Sequence, residues 1–318
     1  MTSRPSSFPL TSPGRLRLLS TRELLQMPMP EWLIQGIIPK GGVVGLYGAP
    51  GSKKSFIAID MAMAVASGQP WQGHLTQAGT AIYIAAEGGV GITKRVRARL
   101  AKYQQEPEDV DIAWLTETVS VNNDTDDLTT VFNRIDDEAE WEPSLIIIDT
   151  LARCFDGDEN TQQDMGRFIA GVDAMRLRYN ATVIIVHHTN VGGARERGNT
   201  AFRGAADTMI AIETDQETGN IIVNCSKQKD AEEFPPIELM LEVMPEYESA
   251  VVVSAAQMKS DVILNWLKVG PLTFKDLKAR VEEPDSRMSL ATLKRKLKEL
   301  LASGEIIKDS DDFYQVPS

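Results

Sequence analysis

The chain has 318 residues, of which 42% are apolar and 25% charged, and a formal net charge of −12. That is the make-up of a globular protein with room for one large core and a small second domain. The acidic balance excludes broad coating of nucleic acid, although it leaves room for a local basic groove, because a phosphate backbone responds to local potential.

Residues 1–30 read as a Pro/Ser-rich flexible leader without the apolar core of a secretion signal. A short helix around "STRELLQM" can be capped by Ser20 or Thr21. The segment "EWLIQGIIPKGGVVGLYG" predicts a turn at Pro39–Gly42 and an apolar strand from Val43 to Tyr47. The stretch "SFIAIDMAMAVASG" has helical spacing and stops at Gly68. The strand "GTAIYIAAEGG" and the helix "ITKRVRARLAKY" follow, then a strand near "IAWLT" and an acidic helix around 125–139. "SLIIIDT" is an apolar strand ending at Asp149, followed by the helix "QDMGRFIAGVDAMRLRYN" and the strand "ATVIIVHHTN". A Gly/Arg-rich loop covers 191–204, and the strands "TMIAIET" and "NIIVNCSKQK" are joined by the turn "DQETGN".

Apolar strands alternating with helices predict an α/β domain over 31–257, its mostly parallel sheet covered on both faces. Ligands of such sheets sit at the carboxyl ends of the strands, where the loop at 48–55, Glu87, Asp149 and His188 all fall. Residues 258–318 change texture, with eleven basic and ten acidic residues in the order helix, helix, helix, hairpin. This is the layout of a small winged helix-turn-helix domain. Its last helix carries Lys294, Arg295, Lys296 and Lys298 beside a leucine face, which suits DNA, though such modules also dock proteins.

Two cysteines, Cys154 and Cys225, form neither a disulfide framework nor a zinc cluster, and read as buried thiols in a reducing cytoplasm. No run reaches the roughly 18 apolar residues a membrane span needs.

The chemistry concentrates at Gly48, Ala49, Pro50, Gly51, Ser52, Lys53, Lys54, Ser55 and Phe56. A phosphate loop of the form G-x-x-x-x-G-K-[ST] places glycine before its lysine, and here that position is Lys53. Glycines and a helix N-terminus aim N–H groups at phosphates, Lys54 reaches the β- and γ-phosphates, and Ser55 ligates Mg²⁺. A side chain at Lys53 must accept a backbone shape that glycine finds easy, at a cost of about 1 kcal/mol. Asp149 is placed to hold Mg²⁺, and Glu87 is placed as general base for an attacking water or is a plain exposed carboxylate. His188 can sense a γ-phosphate, whereas His187 reads as structural. Arg195, Arg197 and Arg203 in the mobile loop can meet phosphates, or the loop is simply solvated. Lys227 and Lys229 lie two apart on a strand and so share a face, which an exposed strand edge would also favour.

The order and spacing of "GAPGSKKSF", "YIAAEGG", "LIIIDTLAR", "VIIVHHTN", "AFRGAADT" and "CSKQK" resemble the RecA-like hexameric helicases, specifically the RepA-like ATPases of plasmids and phages, over residues 30 to about 255. The resemblance implies a RecA-like P-loop NTPase using ATP and Mg²⁺. It implies that Lys54 and Ser55 match the Walker A pair, Glu87 the catalytic glutamate, Asp149 the Walker B acid and His188 the γ-phosphate sensor. Lys227 and Lys229 match a basic pair reaching a neighbour's nucleotide, and Arg203 a second inter-subunit or loop-anchoring residue. The loop at 191–204 matches a channel loop contacting single-stranded DNA.

The expectation is therefore a cytoplasmic DNA-dependent ATPase, a replicative helicase or helicase-like protein in a hexameric ring. The tail would add a contact to duplex DNA or to a protein. An ATP-controlled initiator, loader or recombination mediator with slow hydrolysis is the second expectation, and a small-molecule kinase, which needs neither the lysine pair nor the tail, the third. In the channel loop only Phe202 offers an aromatic platform, so backbone contact by arginine is expected over base stacking.

Overall fold

The computed structural model describes residues 18–27, 29–86, 89–122, 125–137, 142–188, 200–216, 218–283 and 288–317. The chain divides into two units, Met1–Glu31 and Trp32–Ser318. In the first, helix α1 (Thr21–Leu24) is closed by a capping box: the Glu23 amide donates to Ser20 Oγ at 3.3 Å, and the Ser20 amide donates to the Glu23 carboxylate at 2.8 Å.

The second unit opens with a short antiparallel pair, β1 (Trp32–Ile34) and β2 (Ile38–Pro39), and then enters the main sheet. The chain runs β3 (Val43–Gly48), α2 (Lys54–Ser67), β4 (Thr80–Ala85), α3 (Gly89–Tyr103), β5 (Ile112–Leu115), α4 (Asp126–Asp137), β6 (Pro143–Asp149), α5 (Gln162–Tyr179) and β7 (Thr182–His188). It continues through α6 (Thr200–Ala205), β8 (Thr208–Thr214), β9 (Ile221–Gln228), β10 (Ile237–Met244) and β11 (Ser249–Ser254). These build one nine-stranded sheet in the order β11-β10-β9-β8-β3-β7-β6-β4-β5, parallel from β8 to β5 and antiparallel from β8 to β11.

Strand parity sorts the core into two layers. Val44, Leu46, Tyr83, Leu145, Ile147, Ile184 and Val186 pack with α2 on one face. Val43, Ile146, Ile148, Val183 and Ile185 pack with α4 and α5 on the other. Both faces are covered, so the central strands are apolar along nearly their whole length. Cys154 is buried in the second layer, and burial, with the Asp149 charge adding to it, pushes its thiol up to about 12. Cys225 is half-buried, and burial raises its thiol as well.

The β10–β11 hairpin was not expected from the sequence. It curls back so that β11 packs on α2 and α3. Ion pairs Lys102–Glu242, at 2.6 Å, and Lys94–Glu248 fasten it there. Ser254 caps α7 (Ala255–Val269), so a boundary at 257/258 falls inside that helix. Beyond it, β12 (Leu272–Thr273), α8 (Phe274–Val281), α9 (Leu290–Ser303), β13 (Ile307–Lys308) and β14 (Phe313–Gln315) surround a separate cluster that includes Ile263, Leu277, Leu293, Leu297 and Tyr314. The three short strands pair antiparallel in the order β12-β14-β13.

Helices α2 and α3 are tied by a buried ion pair. Arg99 Nε donates to Asp60 Oδ1 at 2.8 Å, with both side chains about 5% exposed. Gln72 donates to the second Asp60 oxygen at 3.2 Å, and Arg99 also donates to Gln105 at 2.8 Å. Breaking such a pair from one side strands a buried charge. Asp60→Ala should therefore lower unfolding free energy by about 3 to 5 kcal/mol, and Asp60→Leu/Arg99→Met should recover most of it, both read by urea denaturation.

Candidate nucleotide-binding site

Strand β3 ends at Gly48, in register with His188 of β7. A Cβ at Gly48 would lie 2.2 Å from the Ile212 carbonyl oxygen, so only glycine lets the loop leave the sheet against β8. Gly51 has φ +79° and Lys53 φ 74°, ψ 19°. Lys53 thus takes the left-handed shape that the missing glycine would have taken. It stands at the N-cap of α2 and makes no side-chain cap bond, and the first turn of the helix holds no acid. The first amides of α2 are thereby left to an incoming anion.

Lys54 is buried, and its ammonium donates to the carbonyls of Gly48 at 3.0 Å and Ala49 at 2.8 Å. Ser55 Oγ donates to Asp149 Oδ1 at 3.2 Å, and the Tyr83 hydroxyl donates to Asp149 Oδ2 at 2.6 Å. Phe56 carries the Arg95 guanidinium 4.3 Å over its ring, so its side chain packs α2 on α3, away from the ligand role its place in the motif suggested. A pocket of about 440 Å³ lies between the loop and the end of β8, lined by Gly48 to Lys53 and by Ile212, Glu213 and Thr214. Ser52 Oγ and Thr214 Oγ1 are buried there without hydrogen-bond partners, and a polar ligand would satisfy them.

The metal called for by the motif fits this donor set. A hydroxyl and a carboxylate oxygen 3.2 Å apart suit Mg²⁺, which keeps waters and takes phosphate oxygens for the rest of its shell. Among the described residues no group of three or more His, Cys, Asp or Glu could hold a metal.

Parity separates the two histidines. His188 lies on the α2 face with Ile184 and Val186, whereas His187 is buried on the other face, 6.2 Å from the Phe202 ring. Phe202 is itself 4% exposed, so the one aromatic the loop sequence offers is packed inward and gives a base no platform. Lys227 and Lys229 converge on the junction of α6 and β8. The Lys227 ammonium donates to the carbonyls of Arg203 at 2.7 Å and Ala206 at 2.5 Å, capping the negative end of α6. Lys229 pairs with Asp207 at 3.3 Å and is 59% exposed. Arg203 donates to the Ser226 carbonyl at 2.7 Å.

In α9, Lys294, Arg295 and Lys298 are exposed. Lys296 is buried and paired with Glu299 at 2.6 Å, so its inclusion in a DNA-facing set is corrected: it is among the buried residues of α9, with Leu293, Leu297 and Leu300. Glu87, Arg195 and Arg197 lie outside the described residues.

Two contacts that shape the site and the α6–β8 junction escaped the sequence. Tyr83 is a lone hydroxyl in an apolar strand, and its parity with Asp149 was the available signal. Asp207 accepts from the Val43 amide at 2.9 Å as well as from Lys229, and no pattern announces it.

A mostly parallel sheet, a lysine-bearing phosphate loop at its central strand and an acid at the tip of β6 define a RecA-like P-loop nucleotide hydrolase. Residues 12–194 match the AAA domain family, and the chain belongs to it. P-loop ATPases of this kind hydrolyse ATP, as a rule with Mg²⁺. Among solved structures, a KaiC-like protein from the hyperthermophilic archaeon Pyrococcus horikoshii OT3 aligns at 16% identity and a TM-score of 0.47, over 70% of this chain and 93% of that one. No curated protein sequence matches the chain. No helix among the described residues is long and apolar enough to cross a membrane.

Gly48→Ala should weaken binding of a fluorescent ATP analogue by about tenfold or more, because the loop must move off β8. Lys53→Gly should bind within about threefold of the native chain, because it keeps the same left-handed backbone.

Proposed function

We propose that the protein is a DNA-dependent ATPase, a replicative helicase or helicase-like replication protein that hydrolyses ATP between the subunits of a hexameric ring. The carrying observation is the junction of α6 and β8. The chain leaves His188 beside the phosphate loop, returns in α6, and is gripped there by Lys227 and Arg203. A loop anchored at one end by a γ-phosphate sensor and at the other by this junction is suited to moving a bound strand when ATP turns over. Lys229, mostly exposed beside the anchored Lys227, is the better of the two to reach a neighbour's nucleotide. Arg195 and Arg197 would meet the single strand by its phosphates, giving weak sequence preference.

The helices and small sheet after β11 serve in this reading as a winged helix, with Lys294, Arg295 and Lys298 toward duplex DNA or a protein. Replacing these three by alanine should lower the salt dependence of duplex binding by about one unit per residue, whereas Lys296→Ala should chiefly destabilise the fold.

A second reading, an ATP-controlled initiator, loader or recombination mediator with slow turnover, draws on Lys53 in the loop and on the acidic body. ATP turnover with and without single-stranded DNA, beside strand displacement on a forked duplex, separates the two. The motor reading expects DNA to stimulate turnover several-fold, Glu87→Gln to remove it, and the fork to open. ATP-dependent assembly with negligible turnover and an unopened fork would overturn it in favour of the second.

A further inference from the structure

Asp149 ends β6 on the face that carries Leu145 and Ile147, toward α2. Its neighbour strand β4 places Tyr83 on that same face, level with Ile147 and one side-chain step below Asp149. The Tyr83 ring is fully buried, with its centroid 5.1 Å from that of Trp114 on β5. From there the phenol reaches up the sheet and donates to Asp149 Oδ2 at 2.6 Å, while Oδ1 accepts from Ser55 at 3.2 Å.

We propose that Tyr83 is a positioning residue for the divalent cation of this site. Its hydroxyl fixes the plane of the Asp149 carboxylate, so that the oxygen beside Ser55 is the one presented to the ion and its water shell. The inference rests on the nucleotide-site reading and adds to it a residue outside the phosphate loop.

A buried carboxylate with one oxygen tied by a short bond cannot rotate freely, and Mg²⁺ demands near-ideal octahedral placement of its ligands. Groups that orient a metal's ligands through hydrogen bonds tune the metal strongly, by about 10- to 100-fold in affinity. Tyr83 is also rigidly held. Its ring is packed in the apolar layer against Trp114, so the phenol transmits the position of the β4–β5 edge to the carboxylate. A phenylalanine at this place would fill the same volume and change only the donor.

The test is Tyr83→Phe in the full chain, with Mn²⁺ as the probe in the presence of ADP, counted by electron paramagnetic resonance. A fluorescent ADP titrated in EDTA reports the phosphate loop alone, and a thermal melt checks the fold. The expected result is an Mn²⁺ dissociation constant raised about tenfold, with metal-free ADP affinity close to that of the native chain and a melt that stays cooperative but falls by the loss of one hydrogen bond to a buried carboxylate. Unchanged Mn²⁺ affinity would overturn the proposal. So would a parallel loss of metal and metal-free ADP affinity, which would mean that the tyrosine only supports the loop. A native chain that binds ADP neither with Mn²⁺ nor without it would instead bring down the nucleotide-site reading itself, and the proposal with it.

Discussion

A carboxylate at the tip of a buried strand must be hydrogen-bonded, because an unpaired charge there loses several kcal/mol of hydration. Asp149 meets that constraint with two hydroxyls from different elements, Ser55 at the start of α2 and Tyr83 in the middle of β4. The geometry of the site follows from it. The bond to Ser55 ties the phosphate loop to β6 across the intervening β7, and β7 brings His188 level with Gly48. On the far side of β3, the Ile212 carbonyl leaves no room for a side chain at Gly48, which holds the loop against β8. The loop is therefore fixed from both neighbours of its parent strand, and the left-handed turn at Lys53 is sustained by that frame.

Cations of this acidic chain gather at a few places. The chain as a whole is acidic, yet an uncapped helix start, Lys53 and Lys54 gather at the phosphate loop. Lys227 and Lys229 gather at the α6–β8 junction, and Lys294, Arg295 and Lys298 line one side of α9. Several of the remaining cations are spent on structure. Arg99 joins two helices, Lys102 fastens the β10–β11 hairpin, and Lys296 lies under its own helix.

Much of this was legible in the sequence because strand and helix periods differ and the central strands are apolar on both faces. The phosphate loop, Asp149 and the difference between His187 and His188 follow from strand ends and parity. Contacts that depend on which strands become neighbours could not be read. Tyr83 meets Asp149 only because β4 lies beside β6, and Lys227 caps α6 only because β9 returns antiparallel to β8. The β10–β11 hairpin was missed because its inward residues pack on helices far away in the chain. Phe202 and Lys296 were read from their chemical type and Phe56 from its place in the motif, and it is packing that turns each of them inward or sideways.

The central claim is that the loop still works with a lysine where its glycine belongs. Steady-state ATP turnover in saturating Mg²⁺, compared between the native chain and Lys54→Ala, tests it most directly. The account predicts turnover in the native chain and its loss in the variant. ATP binding without any turnover in the native chain, or equal turnover in Lys54→Ala, would contradict it.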